Sequence, residues 1–167
     1  AHFFRAAWAL PVVAVGGSNG KTSTKELLKA ALGARYHVHA TSGNLNNQVG
    51  APQTLLSLPV GADCAVVEVG TNMPGEITLL RAIVAPDVAV VICVQEEHLE
   101  GFGDLAGVLA EEAALLDDVE LAVVPAGEPA LIDEARRRSR RVVTAGLGAG
   151  DVAAGAHGLN ADGSGWL

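Results

Sequence analysis

The sequence has few aromatic residues, little positive charge and no long apolar run. Aromatics make up 4% of the chain, so aliphatic side chains supply most of the 50% that is hydrophobic. Lys and Arg total 11 against 19 Asp and Glu, whereas nucleic-acid-binding modules usually present a basic face. No stretch reaches the roughly 20 apolar residues that a membrane-spanning helix needs. These absences argue against both a nucleic-acid-binding module and a membrane span.

Cysteine is also scarce, which argues against a disulfide framework. The two cysteines, Cys64 and Cys93, lie in apolar runs and are expected to be buried, reduced thiols. Such thiols are typical of a cytoplasmic protein, which is the localisation we expect. The first residues contain no initiating Met and lack the layout of a signal peptide. We therefore expect residues 1–11 to be the end of a linker from a missing N-terminal domain.

Short apolar runs alternate with helical patterns along the chain, which is typical of βαβ units. We predict an α/β fold of P-loop type, with a mostly parallel sheet and helices on both faces. Ligands of such sheets bind at the carboxyl ends of the strands. The predicted strands are 12–16, 37–40, 64–69, 88–94, 121–124 and 142–144, and the predicted helices are 22–32, 52–58, 75–84, 105–116 and 128–138.

One domain of ordinary size accounts for the 167 residues, and we assign residues 12–167 to it. From residue 146 the chain is rich in glycine and has no strong period, so we expect turns there, or strands without partners. The dense basic run fits the solvated end of a helix better than a nucleic-acid contact. That run consists of Arg136, Arg137, Arg138, Arg140 and Arg141.

A glycine-rich turn follows the first predicted strand and leads into the first predicted helix. In this order, backbone N–H groups point at phosphate oxygens, a Lys neutralises the β- and γ-phosphates, and a hydroxyl reaches Mg²⁺. The usual G-x-x-x-x-G-K-[ST] pattern is incomplete, because Val15 stands where its first Gly belongs. A chance Lys-Thr after a glycine turn is disfavoured because the flanking strand and helix are both present. The residues that we expect to bind nucleotide are Gly17, Ser18, Asn19, Gly20, Lys21, Thr22 and Ser23.

The residues around this turn closely resemble the Mur ligases, a family of ATP-dependent amide ligases. The turn continues as Thr24-Lys25-Glu26, which is similar to the branch of that family that adds D-alanyl-D-alanine. The resemblance covers roughly residues 10 to 152, and further similar blocks follow in the same order. They are Thr41-Ser42-Gly43-Asn44-Leu45-Asn46-Asn47-Gln48-Val49-Gly50-Ala51-Pro52, Glu68-Val69-Gly70 with Pro74-Gly75-Glu76-Ile77, His98-Leu99-Glu100-Gly101-Phe102-Gly103 and Val143-Thr144-Ala145-Gly146-Leu147-Gly148.

The resemblance implies the central ATP-binding domain of an enzyme of peptidoglycan precursor synthesis. ATP would phosphorylate the terminal carboxylate of a UDP-MurNAc-tripeptide, and the amine of D-Ala-D-Ala would attack the acyl phosphate to give the amide. We expect the family's N-terminal and C-terminal domains to be missing from this chain. The chain alone should then bind ATP and Mg²⁺ without ligation. We expect a monomer with no nucleic-acid partner.

Candidate metal and substrate residues stand after predicted strands. A carboxylate that attacks a polyphosphate brings two anions together, so cations must lie between them. We expect Thr22 and Glu68 to ligate Mg²⁺, because a carboxylate that ends an apolar strand is costly without a metal or a partner. His98 would by itself be a surface histidine, and the resemblance implies metal ligation. Asn44 and Asn47 are turn formers by residue type, and the resemblance makes them candidates to line the substrate phosphate or the side of the second metal.

Glu112 marks the first departure from the family pattern. The resemblance implies a carbamylated lysine fourteen residues beyond His98, and Glu112 stands there instead. Because a glutamate supplies an anion without CO₂, we predict that Glu112 ligates a second Mg²⁺ and acts in catalysis with Lys21 and His98. Helical spacing puts Glu112 on the apolar face of its helix, and Glu111 about 100° away towards solvent.

Two further departures concern Pro125 and Gly16. Pro125 stands where the family has an Asn near the adenine, and proline cannot make that hydrogen bond; Gly16 stands where Thr is usual. These departures leave two alternatives: a different Mur or folylpolyglutamate-type ligase, and a degenerate relative that binds nucleotide or a partner without catalysis. The Asn-rich block and the block that begins at His98 disfavour the first alternative. The intact Lys21 and the predicted metal ligands disfavour the second.

Overall fold

The computed structural model describes residues 5, 7–96, 99–155, 158–160 and 165–166, and seven strands among them form one parallel sheet. With the strands numbered along the chain, their order across the sheet is 2-3-1-4-5-6-7, and every pairing is parallel. The predicted α/β class is confirmed. The strands are β1 (Val12–Gly16), β2 (Val38–Ala40), β3 (Cys64–Glu68), β4 (Val88–Val91), β5 (Leu121–Pro125), β6 (Val142–Leu147) and β7 (Val152–Ala154), with β8 (Gly158–Leu159) and β9 (Gly165–Trp166) as a separate antiparallel pair.

The helices connect successive strands and cover both faces of the sheet. From β1 the chain moves outward to β2 and then returns across the sheet in one direction. Because parallel crossovers are right-handed, this reversal puts the first helix on one face and the later helices on the other. Within the described residues, no helix has the length and apolarity to cross a membrane. The helices are α1 (Lys21–Gly33), α2 (Gly50–Leu56), α3 (Glu76–Val84), α4 (Leu99–Phe102), α5 (Leu105–Ala113), continued by a 3₁₀ turn (Ala114–Leu116), and α6 (Pro129–Arg138).

The centre of the sheet is buried on both faces. All five residues of β3 are buried, and β1 lies between β3 and β4. These strands are rich in Val and Ala because a parallel strand covered on both faces has no side that meets water. Glu68 is the last residue of β3 and Gly16 is the last residue of β1. The apolar core therefore adjoins the carboxyl edge, where ligand sites of this fold class form.

Predicted and observed elements differ most after residue 146. β7 pairs with β6, so the expectation of strands without partners is wrong for this strand. Glycines permit the tight connection: Gly148 and Gly150 have φ values of +70° and +102°. A Cβ at Gly150 would lie 2.8 Å from the carbonyl oxygen of Thr144. The short helix α4 is a second difference, because no helix is predicted at its position.

Candidate functional site

The glycine loop (residues 17–20) joins β1 to α1 and contains four of the seven predicted nucleotide-binding residues, the other three being in the first turn of α1. Gly17 and Gly20 have φ values of +114° and +82°, in the region that favours glycine. A Cβ at Gly17 would also lie 2.9 Å from the backbone N of Ile92. Gly20 caps α1, and among the described residues no side chain caps this helix and no acidic residue lies in its first turn. The helix N-terminus can therefore donate its N–H groups to an anion, which the helix dipole also favours.

The segment after β4 holds the glycine loop in place. The N–H of Ser18 donates to the carbonyl oxygen of Cys93 at 2.9 Å, and the N–H of Gln95 donates to the Ser18 hydroxyl at 2.9 Å. The Asn19 side-chain amide donates to Gln95 Oε1 at 2.7 Å. Cys93 is half-buried rather than buried as expected, and its Sγ lies 3.4 Å from the backbone N of Asn19. The segment after β4 thus fixes the glycine loop through backbone and side-chain hydrogen bonds.

Lys21 and Thr22, the first residues of α1, provide the charged and hydroxyl groups of the site. The Lys21 ammonium donates to the carbonyl oxygens of Gly17 and Ser18, at 2.6 and 3.1 Å. It therefore adds a full positive charge directly at the loop. The exposed Thr22 donates its hydroxyl to Glu68 Oε1 at 3.2 Å. The structure thus brings the predicted pair Thr22 and Glu68 together.

Glu68 is a buried carboxylate at the carboxyl end of β3, with 1% of its surface exposed. Its Oε1 accepts hydrogen bonds from Thr22 and from Asn46 Nδ2, the latter at 2.9 Å. Its Oε2 accepts none within the part of the chain that the structure describes, and the Lys25 ammonium lies 3.7 Å from it. A buried carboxylate oxygen without a donor calls for a cation. A hydroxyl and a carboxylate beside a phosphate loop are oxygen ligands of the kind that Mg²⁺ prefers, so these residues fit the expected ion.

Asn46, which the sequence reasoning did not select, is the asparagine that reaches Glu68. Asn44 is exposed. The Asn47 side chain accepts the N–H of Gly50 at 2.9 Å and so holds the turn that leads into α2. An irregular loop has no period, so spacing alone could not rank the three asparagines of this block.

Glu112 lies on the inward face of α5, as its helical position predicts, with 1% of its surface exposed. Its Oε2 accepts a hydrogen bond from the N–H of Gly17 at 2.8 Å. A Cβ at Gly16 would lie 3.3 Å from this oxygen and 2.7 Å from Leu115 Cδ2. The glycine at position 16 therefore leaves the space in which the Glu112 carboxylate meets the glycine loop.

Glu111 is buried, so the prediction that it faces solvent is wrong. It is 8% exposed, and its carboxylate accepts the N–H groups of Gly75 and Ile77, each at 2.8 Å. It also accepts the Thr71 hydroxyl at 3.3 Å. Glu111 thus caps the start of α3, which packs against α5. A helical wheel could not show this, because it describes one apolar face and not a second helix beside it.

The remaining predicted positions are His98 and Pro125. His98 falls outside the described residues, so its ligand role stays a prediction. Pro125 is the last residue of β5, and three residues later both Glu128 carboxylate oxygens accept the N–H of Val94, at 3.1 and 3.3 Å. Burial raises the pKa of Glu128. A cleft of about 340 Å³ opens here, with a lining that includes Val94, Gln95, Leu105, Leu109, Glu128 and Leu131.

Comparison with known sequences places this geometry in a family. Residues 15–165 match the family model of the Mur ligase middle domain. The chain belongs to this family. It is 48% identical over 97 residues to the UDP-N-acetylmuramoyl-tripeptide–D-alanyl-D-alanine ligase of Escherichia coli, covering 58% of this chain and 22% of that protein. It is 39% identical over 109 residues to the enzyme of that name from Bacillus subtilis, covering 65% of this chain and 24% of that protein.

Solved structures agree with this assignment to the Mur ligase middle domains. MurF from Thermotoga maritima in complex with ADP has a TM-score of 0.88 at 30% identity, covering 98% of this chain and 39% of that one. MurF from Acinetobacter baumannii has a TM-score of 0.86 at 32% identity, covering 95% of this chain and 36% of that one. This Mur ligase middle domain thus spans between 22% and 39% of the length of these four proteins.

Proposed function

We propose that this Mur ligase middle domain is the ATP- and Mg²⁺-binding part of a ligase that joins D-alanyl-D-alanine to UDP-MurNAc-tripeptide. The observation that carries the proposal is the glycine loop with Lys21 at its end and the buried Glu68 beside it. The sequence relatives support the reaction, since they are named as this ligase, and a structural neighbour with TM-score 0.88 was solved with ADP.

In the proposed reaction the tripeptide carboxylate attacks the γ-phosphorus of ATP, and ADP leaves. The amine of D-Ala-D-Ala then attacks the acyl phosphate carbon, loses a proton and expels inorganic phosphate, which leaves the amide. The N–H groups at the start of α1 and the Lys21 ammonium hold the β- and γ-phosphates in line with the attacking carboxylate. Thr22 and Glu68 would hold Mg²⁺, and its charge would lower the repulsion between the two anions.

The acceptor side of the site depends on residues whose roles are proposals. Glu112 supplies an anionic oxygen for a second Mg²⁺, where the resemblance implies a carbamylated lysine. Its burial beside Gly17 supports this role. We retain His98 as a further ligand and Asn44 and Asn47 as residues on the substrate side. The described residues contain no group of three or more His, Cys, Asp or Glu side chains arranged to hold a metal, so phosphate oxygens and water would complete the coordination of Mg²⁺.

The base of the nucleotide is proposed to lie in the cleft between the ends of β4 and β5. Gln95 lines this cleft and also contacts Ser18 and Asn19, so the cleft adjoins the glycine loop. Its lining is largely aliphatic, which suits a flat base. A proline at position 125 removes the side-chain amide that the family pattern has there, and we propose that packing in the cleft compensates.

The domain organisation and cellular setting follow from the same proposal. We propose that residues 12–167 form the central domain, and that flanking domains bind the UDP-sugar and present the amine. The share of the relatives that this chain covers supports a central piece of a longer enzyme. We further propose that the enzyme acts in the cytoplasm as a monomer.

Substitution of Lys21 tests the proposal. Lys21→Ala should weaken binding of a fluorescent ATP analogue by about 100-fold, the size of a lost charge-assisted contact to phosphate. Lys29→Ala, at an exposed position on the same helix, is the matched control and should leave the affinity unchanged. Unchanged affinity in Lys21→Ala would rule out the glycine loop as the phosphate site. Nucleotide binding without substrate-dependent ADP release by the longer enzyme would favour a binding module without catalysis.

A further inference from the structure

Lys25 is a fully buried lysine that has no role in the proposed reaction described above. It lies one helical turn beyond Lys21 on α1, and its side chain has 0% exposure. Its ammonium donates to the carbonyl oxygen of Gly43 at 2.8 Å. It also lies 3.0 Å from Glu26 Oε1 and 3.7 Å from Glu68 Oε2. Two lysines one turn apart on the same helix therefore contact different parts of the site. Lys21 binds the glycine loop, and Lys25 lies beside the Glu68 carboxylate.

Stability alone does not explain a lysine at this position. Lysine is almost never fully buried unless it is paired, because the charge loses its hydration. A buried ion pair is often no more stabilising than apolar residues of similar volume. Lys29, one turn further along the same helix, is exposed. A charge at Lys25 is therefore not expected to stabilise the fold more than an apolar side chain would, and a functional role accounts for it.

The contacts of Lys25 join the two parts of the site that must stay aligned. Gly43 belongs to the 41–46 loop, which follows β2. That loop holds Glu68 at two further points, because Asn46 donates to Glu68 Oε1 and the Thr41 hydroxyl accepts the N–H of Glu68 at 2.9 Å. Lys25 therefore holds the 41–46 loop through Gly43, while its charge faces the second oxygen of Glu68.

We propose that Lys25 is a positioning residue that orients the Glu68 carboxylate and the 41–46 loop for Mg²⁺. The inference rests on the proposed ATP and Mg²⁺ site. A nearby positive charge also repels Mg²⁺, so loss of Lys25 has two effects of opposite sign. Loss of orientation dominates, because Glu68 Oε2 accepts no hydrogen bond from the described residues and is held by the Lys25 charge 3.7 Å away, and because Gly43 would lose its donor at the same time.

The test is the Mg²⁺ dependence of nucleotide binding, which needs no turnover. A fluorescent ATP analogue is titrated against this chain at increasing Mg²⁺, alongside its affinity in EDTA. Lys25→Met, which keeps the length of the side chain, should raise the half-saturating Mg²⁺ concentration about tenfold, the size of a lost charged hydrogen bond. Its affinity in EDTA should stay within about twofold. Lys29→Met should match the wild type, and Lys25→Arg should recover part of the loss.

A double-mutant cycle shows whether Lys25 acts through Glu68. In a Glu68→Gln background, Lys25→Met should change the Mg²⁺ dependence no further. The double variant buries no unpaired charge, so it should fold even if Lys25→Met alone does not. Amide hydrogen exchange in the 41–46 loop should be faster in the double variant than in Glu68→Gln alone, because only the double variant lacks the hydrogen bond from Lys25 to Gly43.

Three outcomes would overturn the inference. The first is a folded Lys25→Met variant whose half-saturating Mg²⁺ concentration is unchanged or lower. The second is additivity of the Lys25→Met and Glu68→Gln effects on that concentration. The third is equal amide exchange of the 41–46 loop in Glu68→Gln with and without Lys25→Met. A wild-type chain that binds the analogue independently of Mg²⁺ would overturn this inference and the proposed Mg²⁺ site, but would leave the glycine loop as the nucleotide site. A wild-type chain that binds no nucleotide would overturn the proposed function with it.

Discussion

The Glu112 carboxylate and the backbone N–H of Gly17 form a 2.8 Å hydrogen bond between α5 and the glycine loop. It joins residues 95 positions apart, and it lies where the carboxyl end of β1 meets the inward face of α5. The absence of a side chain at Gly16 leaves room for it. Gly16 and Glu112, at both of which the resemblance implies another residue, therefore lie close together, and the glycine leaves room for the carboxylate.

The charge of Glu112 can be separated from its hydrogen bond. Glu112→Gln keeps an oxygen that accepts the Gly17 N–H, whereas Glu112→Ala removes both the oxygen and the charge. In the full-length enzyme we expect both variants to lower kcat by about 100-fold or more, because the anionic ligand is lost. Nucleotide affinity should fall only in Glu112→Ala. Activity of the unmodified enzyme should not depend on bicarbonate.

Two results would contradict this assignment. Normal kcat in Glu112→Gln would mean that Glu112 supports the glycine loop and does not hold a metal. Stimulation of the unmodified enzyme by bicarbonate would indicate a carbamylated lysine elsewhere in the site.

The space around Gly16 should not accommodate a larger side chain. Gly16→Ala places a Cβ 2.7 Å from Leu115 Cδ2, so we expect it to lower the free energy of unfolding by about 1–3 kcal/mol. Leu115→Val shortens the side chain that the new Cβ meets. Urea unfolding of both single variants and the double variant should therefore show less destabilisation in the double variant than the sum. Strict additivity would mean that the backbone moves and the two side chains do not meet.

Removal of Glu111 should destabilise the fold, because the N–H groups of Gly75 and Ile77 at the start of α3, the latter buried, lose their acceptor. Glu111→Ala should lower the free energy of unfolding by about 3 kcal/mol in urea titration. Glu120→Ala removes an exposed carboxylate paired with Arg140 and should change it by less than about 1 kcal/mol. If both alanine variants lowered the free energy of unfolding by a similar, small amount, Glu111 would not cap α3 and would instead face solvent.

Glu76 should make stability depend on pH. A hydrogen bond from the Asn72 N–H lowers the pKa of Glu76 below its usual 4.5. A lowered folded-state pKa contributes stability that is present above the unfolded value and is lost as the pH falls through the folded value. Glu76→Gln should therefore cost about 1 kcal/mol at neutral pH, a modest value because the group is partly exposed. The difference from wild type should shrink as the pH falls below 4.5; a constant difference would show that the charge is not involved.

Local sequence patterns predicted well those features of the fold that depend on a single strand, turn or helix. The Val- and Ala-rich runs mark buried parallel strands, and the glycine turn followed by Lys21 marks the start of α1, because these signals depend on neighbouring residues only. The inward position of Glu112 follows from helical period for the same reason. Element ends and the region after residue 146 were less predictable, because pairing of β7 with β6 depends on a glycine connection without a period.

The sequence by itself determined the α/β class, the glycine loop and the candidate carboxylates at strand ends, since period, turn chemistry and motif spacing are local properties. Only the tertiary structure decided which side chains meet. It brought Asn46 and Lys25 to Glu68, buried Glu111 under the start of α3, and placed the Glu112 carboxylate beside Gly17. Such contacts join segments that are distant in the chain, and their partners are set by strand order and helix packing, which no local pattern encodes.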